Sequence, residues 1–320
     1  MQQEIRFATF NVCNLAPAGA KLYDNLEPLS PAQYEAKAEW TARQIDLLDA
    51  DVIAFQEIFS QAALRDVLSR TRHYHAATLA GHDAVDAAGR MLPTVALVSR
   101  LPLAGAGVAW ANFPAGVSVP ADDNADRFAR APLHVQVILP GGQLTDVVVV
   151  HLKSRRPDYR HGDGNDAAAY ALANLRSLQR RGAEAVALRV LASELGHSGR
   201  PRIVLGDFND IANAVTTAIV MGAGAPCEPG MEMRARLYDA NAIALRQDAA
   251  RHAGYTNIHD NAYMTIDHIL VSEHFHPASP RAIGVLQEVT YLNDHLLLGL
   301  PHASDHGQVL ARIKLLGNIH

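Results

Sequence analysis

Cysteine is scarce in this sequence: Cys13 and Cys227 are the only two among 320 residues. Two thiols make no disulfide framework, which excludes a cross-linked secreted scaffold and suits a reducing compartment. Aromatic residues amount to 6%, so a long single strand of nucleic acid would find few platforms on which to stack. No apolar run approaches the ~20 residues that cross a bilayer as a helix. Positive charge is not in excess either, because the formal net charge is −5. That removes a global basic field and leaves any polyanion to a local patch. The N-terminal MQQEIRFATFNV carries neither a basic n-region nor an apolar h-region. A cytoplasmic protein with no signal peptide and no membrane span is therefore expected, and nothing implies a protein partner.

What is present is a large apolar fraction, 49%, with 19% charged residues, enough for a sizeable core and too ordered a composition for a disordered chain. Short apolar runs alternate with helical patterns throughout, the mark of a layered α/β fold. Strands are expected at 5–12, 51–57, 94–99, 134–139, 145–154, 203–208, 265–272 and 308–315. Several are apolar on both faces, so sheets covered on each side are expected. A helix opens at Ser30-Pro31 and carries Tyr34, Ala38, Ile45 and Leu48 on one stripe. A second follows Ser60, and the longest covers roughly residues 166–195. The stretches 13–29, 80–92, 112–130, 155–165, 222–236 and 276–304 read as loops. None resembles an interdomain linker and no repeat is evident, so one domain over residues 1–320 is expected.

Strand ends carry the chemical information. In IVLGDFND (203–210), branched apolar residues run straight into Gly206 and Asp207. Burying that carboxylate costs several kcal/mol unless its charge is compensated. Alternation also sets Asn11 in line with Ile5, Phe7 and Thr9, and Glu57 with Ile53 and Phe55. His151 and Lys153 continue the row of Val147 and Val149, and Asp267 shares a face with Thr265, Ile269 and Val271. Asp305 and His306 precede the last strand. Each alone is an ordinary turn former, cap or core histidine. Together they can converge, because strand ends cluster in space. Four carboxylates (Glu57, Asp207, Asp267 and Asp305) in one crevice require a cation or shifted protonation. Oxygen donors without cysteine suit Mg²⁺ or Mn²⁺. Such an ion, two histidines and an arginine are the equipment of phosphate-ester hydrolysis.

The ordered set TFNVCNL, DVIAFQE, RAPL, VVVVHLKS, IVLGDFND, TIDHILVS and SDHGQVL resembles the endonuclease/exonuclease/phosphatase superfamily, the fold of pancreatic deoxyribonuclease, and HLKS is a form found in bacterial members. The resemblance spans about residues 5–315. It implies a four-layer α/β sandwich, two mixed β-sheets packed face to face with helices outside. It implies that Glu57 is the principal metal ligand, with Asn11 and Asp305 in the same shell. Asp207 and Asn209 would hold and activate the attacking water, contact the phosphate or bind a second ion. His306 would face the phosphate with Asp267 orienting it, and His151 would contact the phosphate or protonate the leaving oxygen. Arg130 of RFARAPL is the candidate phosphate-facing arginine, with Arg127 its competitor.

Weaker signals surround this set. LKSRRPDYRHGDGND begins on the His151 strand, and its Lys153 and Arg155 are candidate substrate contacts. Arg176, Arg180 and Arg181 read as a solvated helix face. His274 and His276 have metal-like spacing without the rest of a metal motif, and His295 and His302 either line the crevice mouth or lie on the surface. GAGAPCEPG lacks the context of a nucleotide fingerprint. Cys13 has no base placed beside it, and Trp40 and Trp110 read as packing residues. Asp210 falls on the Phe208 side of the alternation and is left out of the catalytic set. A metal-dependent nuclease acting on nucleic-acid phosphodiesters is expected first, and a hydrolase of a small phosphoester (inositol phosphate, phospholipid headgroup or nucleotide) second.

Overall fold

The computed structural model describes residues 3–119, 126–224, 233–234, 236–245 and 254–317. The first half runs β1 (Glu4–Leu15), α1 (Pro31–Leu48), β2 (Val52–Ile58), α2 (Gln61–Ser69), β3 (Thr78–Gly81), β4 (Ala84–Val85), β5 (Met91–Leu92), β6 (Thr94–Ser99), β7 (Val108–Ala109), β8 (Leu133–Ile138) and β9 (Leu144–His151). The second runs α3 (Ala167–Gly196), β10 (Arg202–Asp207), α4 (Val215–Met221), β11 (Tyr238–Asp239), α5 (Ala240–Ile243), β12 (Asn257–His259), β13 (Ala262–Met264), β14 (Asp267–Val271), β15 (Gly284–Leu292) and β16 (Gln308–Leu315).

Two six-stranded sheets form, in the orders β15-β16-β1-β2-β6-β3 and β11-β14-β10-β9-β8-β7. Each holds one parallel pair, β1 with β2 and β9 with β10, and its other pairs are antiparallel. Parallel neighbours need a long crossover, and here α1 and α3 supply it. Ser30 caps α1 with a reciprocal bond to Gln33, Pro31 occupies its first turn, and Asp166 caps α3.

Alternation sorts the side chains into layers. Phe7, Val52 and Leu97 of the first sheet meet Val135, Val147, Val149, Leu205 and Ile269 of the second in one buried cluster between the sheets. The other face of the first sheet, with Ala8, Phe10 and Phe55, packs on Trp40, Ile45, Leu64 and Val67 of α1 and α2. The other face of the second, with Val148, Val150, Val204 and Leu270, packs on Leu188 and Val220 of α3 and α4. The result is the four-layer α/β sandwich with helices outside.

The structure corrects several sequence readings. The stretch 276–304 is not all loop: β15 pairs with β16 along its length as an edge strand. An extra residue between Leu286 and Glu288 shifts its register, which scrambles the two-residue period that would have betrayed it. β3 likewise emerges at the edge of a stretch read as loop. β9 ends at His151, so its alternation does not carry to Lys153. Arg181 is not solvated: it is 5% exposed and pairs with Asp210. GAGAPCEPG falls mostly outside the described residues, as does Cys227.

Gly206 carries close strand packing. Its φ of 146° is one that L side chains rarely adopt, and a Cβ there would lie 2.0 Å from the Val150 carbonyl oxygen. Gly206→Ala should therefore lower stability by about 3 kcal/mol or more, read from the denaturant midpoint. At the sheet's opposite end, buried Asp146 accepts from Arg200 Nε at 2.8 Å and Gln136 Nε2 at 3.0 Å, with His134 Nε2 at 2.9 Å. Burial works to raise this carboxyl, but those partners hold it down at about 2. The stability it contributes is therefore present above its unfolded value of ~3.9 and lost as pH falls through about 2. Acid titration of Asp146→Asn should start from a lower stability at neutral pH and fall less steeply below pH ~4 than wild type.

Candidate active site

At one edge of the sandwich the intersheet rows turn from apolar to polar. Asn11 follows Ile5, Phe7 and Thr9 on β1, His151 follows Val147 and Val149 on β9, and Asp207 follows Ile203 and Leu205 on β10. β14 runs the other way and begins with Asp267. All four polar side chains are buried.

Asp207 is the hub. Its Oδ2 accepts from Asn11 Nδ2 at 3.1 Å and lies 3.3 Å from His151 Nε2 and 3.9 Å from His306 Nε2. Its Oδ1 accepts from the Asn209 backbone N–H at 2.7 Å, and Asn209 Nδ2 donates to the Leu152 carbonyl at 3.0 Å. His306 Nδ1 stands 2.9 Å from Asp267 Oδ2. The loop holding His306 is pinned to β1 by Ser304 Oγ, which donates to the Asn11 carbonyl at 2.6 Å and accepts from the His306 N–H at 3.0 Å. His295 donates from Nε2 to the His306 carbonyl at 2.9 Å, so it is a buried buttress rather than a surface or crevice-mouth residue.

Electrostatics divide the two histidines. Burial opposes charge on His306, but Asp267 and then Asp207 hold it well above the ordinary range. His151 is pushed well below it by burial and then by Arg130, so it stays neutral. Burial, followed by Asp267, raises Asp207 to about 7, with His306 opposing.

Glu57 arrives by a route that alternation misses. Its neighbour Phe55 belongs to the helix side, so strict alternation turns Glu57 away from the intersheet edge. The ladder between β2 and β6 shifts register between Gln56 and Ile58, and Glu57 takes a φ of 61°. This bulge swings the carboxylate to within 3.5 Å of Asn11 Nδ2, where its Oε2 accepts from the Asn14 N–H at 2.9 Å. Exposed Asp305 accepts a hydrogen bond from the Cys13 thiol. Burial, then Asp305 and Glu57, pushes that thiol up, which keeps Cys13 protonated and poor as a nucleophile.

The donor set fits a hard divalent cation. Asn11, Glu57 and Asp305 offer only oxygen ligands, and the carboxyl oxygen Asp267 Oδ1 and the amide oxygen Asn14 Oδ1 are buried with no hydrogen-bond partner. Asp207, Asp267 and His306 also bring one ligand atom each within 4.8 Å of one another.

Arg130 is half-buried, donates to the Leu152 carbonyl at 3.1 Å and acts electrostatically on both His151 and Asp207. Arg127 is exposed, which separates the two arginines. Lys153 Nζ turns back to the carbonyls of Ser154 and Arg156 at 3.5 and 3.3 Å. Arg155 reaches Asp210 and Met264 instead of the Asp207 cluster. His274 is buried against Ser272 while His276 packs on Tyr238, so those two do not converge.

Three residues escaped the sequence reading. Lys37 is 6% exposed, donates to the Val12 carbonyl at 2.9 Å and sits within electrostatic range of Glu57 and Asp305. Its spacing of three from Tyr34 was the available signal. Tyr23 senses both Glu57 and Arg130 from the loop after β1. Glu184 of α3, 1% exposed, accepts from the backbone N–H of Ala129 at 2.8 Å and of Lys153 at 2.6 Å. It thereby ties together the segments that carry Arg130 and Lys153.

A sandwich with this Asp–His–carboxylate edge defines a metal-dependent hydrolase of phosphate esters. The chain belongs to the Endonuclease/Exonuclease/phosphatase family, whose profile matches residues 8–306. Among curated proteins none matches. Solved structures do: the human Nocturnin catalytic domain with bound sulfate superposes with a TM-score of 0.62 at 15% identity, over 99% of this chain and 96% of that one. An endonuclease/exonuclease/phosphatase family protein from Bacteroides thetaiotaomicron gives 0.59 at 16%, covering 99% and 100%. A humanized D. rerio TDP2 gives 0.58 at 15%, covering 97% and 98%. At these identities the likeness is one of fold. No described helix is long and apolar enough to cross a membrane.

Asp267→Asn removes the largest influence that raises His306. NMR titration of the His306 ring should then show its protonation falling to lower pH, while His151, which does not contact Asp267, should move far less.

Proposed function

We propose that the Asp207 centre is a divalent-metal-dependent phosphodiesterase, with Asn11, Glu57 and Asp305 holding Mg²⁺ or Mn²⁺. The observation that carries this is the contact of one buried carboxylate with Asn11, His151 and His306 at once, with Asp267 behind His306. When bound, the ion stabilises charge on the phosphoryl oxygens. Asp207 and Asn209 orient the attacking water from the end of β10. His306, its Nδ1 held by Asp267, presents Nε2 to the phosphate. His151, kept neutral, contacts the phosphate or hands a proton to the leaving oxygen, and Arg130 adds positive charge beside it.

We infer a small phosphoester as substrate ahead of a nucleic-acid strand, the reverse of the order expected from the sequence. The basic loop after His151 favours this, because Arg155 is engaged with Asp210 and Lys153 with its own loop, while the loop's Asp163 is taken up by Arg176 of α3. Paired cations offer less to a long phosphate backbone.

With Mg²⁺ or Mn²⁺, the protein should hydrolyse bis-p-nitrophenyl phosphate faster than plasmid DNA, single-stranded DNA or RNA, and EDTA should abolish turnover. Glu57→Gln, Asp207→Asn and His306→Ala should each lower kcat/KM by ~10²–10⁴-fold with circular dichroism unchanged. Activity that survives EDTA or these substitutions would remove the mechanism, and faster cleavage of DNA would restore the nuclease assignment.

A further inference from the structure

Beside the Asp207 centre lies a cavity of about 400 Å³ that the hydrolytic machinery does not use. One side is the chain after β1 together with the first turns of α1, including Leu22, Leu26, Leu29 and Ala36. The other is Pro301–Ala303, immediately ahead of Ser304, Asp305 and His306. Its floor is Cys13 and Asn14, the segment whose Asn14 N–H holds Glu57. The cavity is therefore bracketed by the two pieces of chain that deliver Asn11, Asp305 and His306, and Ser304 bonds one piece to the other. A group attached to a phosphate in that centre has this cavity as its neighbour.

The walls say what the group is. They are mainly Leu, Ala and Pro, joined by Glu27, Gln33, Lys37 and His302, and among the described residues no Phe, Tyr or Trp lines the cavity. A nucleobase or aryl group would find only the His302 imidazole on which to stack, whereas an aliphatic chain loses nothing by that lack. The size falls within the ~300–1,000 Å³ of small-molecule sites. A second observation points the same way. The loop DHLLLGLP (294–301), which leads into the cavity wall, turns Leu297 and Leu298 outward at 64% and 65% exposure. Adjacent leucines at that exposure suit contact with an apolar phase.

We propose that the cavity holds an aliphatic chain of the substrate, so that the enzyme acts on a phosphoester carrying such a chain. This rests on the phosphodiesterase reading for the chemistry, but the pocket itself can be tested by binding alone. Titration calorimetry with inorganic phosphate and ethyl, butyl, hexyl and octyl phosphate should show Kd falling roughly fourfold per added methylene until the cavity fills. Ala36→Phe, which fills the cavity from α1, should flatten that series while inorganic phosphate still binds. Equal Kd for ethyl and octyl phosphate would overturn the proposal, as would a chain-length series that persists in Ala36→Phe. In a kinetic arm, octyl p-nitrophenyl phosphate should be hydrolysed at least tenfold faster in kcat/KM than the methyl ester, and equal rates would overturn the proposal. If neither ester is hydrolysed, the phosphodiesterase reading falls and the binding series decides the pocket. Co-sedimentation with phosphatidylcholine vesicles, weakened in Leu297→Ser/Leu298→Ser, identifies a lipid as the source of the chain. Chain-length dependence without co-sedimentation identifies a soluble alkyl ester.

Discussion

A carboxylate buried at the end of an apolar core is the constraint on which this structure turns. Asp207 continues the row of Ile203 and Leu205 into the space between two sheets. There it is desolvated and costs free energy unless every neighbour compensates. Asn11, the Asn209 N–H, His151 and His306 do so from four separate segments. Because the partners arrive from both sheets, the cluster closes only with the register of each sheet and the spacing between them that the apolar rows provide. The same desolvation strengthens every interaction within it, which gives a polar edge its chemical use.

Further positions extend the constraint outward. Gly206 lets β10 approach Val150 closely enough to aim Asp207 inward. The bulge at Glu57 brings a carboxylate from the helix side of the first sheet to the same edge. Glu184 reaches from α3 to fix the backbone at Ala129, beside Arg130, and at Lys153. None of these needs to touch a substrate to matter. Each sets where a neighbour can be, and a displacement of an ångström at such a centre is costly.

The apolar cavity beside the centre fits the same economy of construction. The end of β1 supplies Asn11 to the phosphate edge and, two residues later, the floor of the cavity. The segment before β16 supplies Asp305 and His306 after forming the opposite wall. Chemistry and selection are thus built from the same two stretches of chain, where variation in loop residues can alter the second without disturbing the first.

Much was legible in the sequence because its signals are local. Alternation placed Asn11, His151, Asp207 and Asp267 at strand ends, and Ser30-Pro31 fixed the start of α1. The family resemblance joined those ends into one centre and gave the layered architecture. What local pattern could not carry was anything that breaks the period or depends on a distant partner. Glu57 needed a bulge, β15 hid behind another, and Arg181 looked solvated until Asp210 was set opposite it. Lys37 and Glu184 sat among helical residues, Lys37 with only its spacing from Tyr34 to mark it as buried. The sequence by itself determined which residues could be chemical and on which strands they lay. Only the tertiary structure decided which charges were spent on one another and where an empty apolar space remained, because both depend on side chains that meet across long separations in the chain.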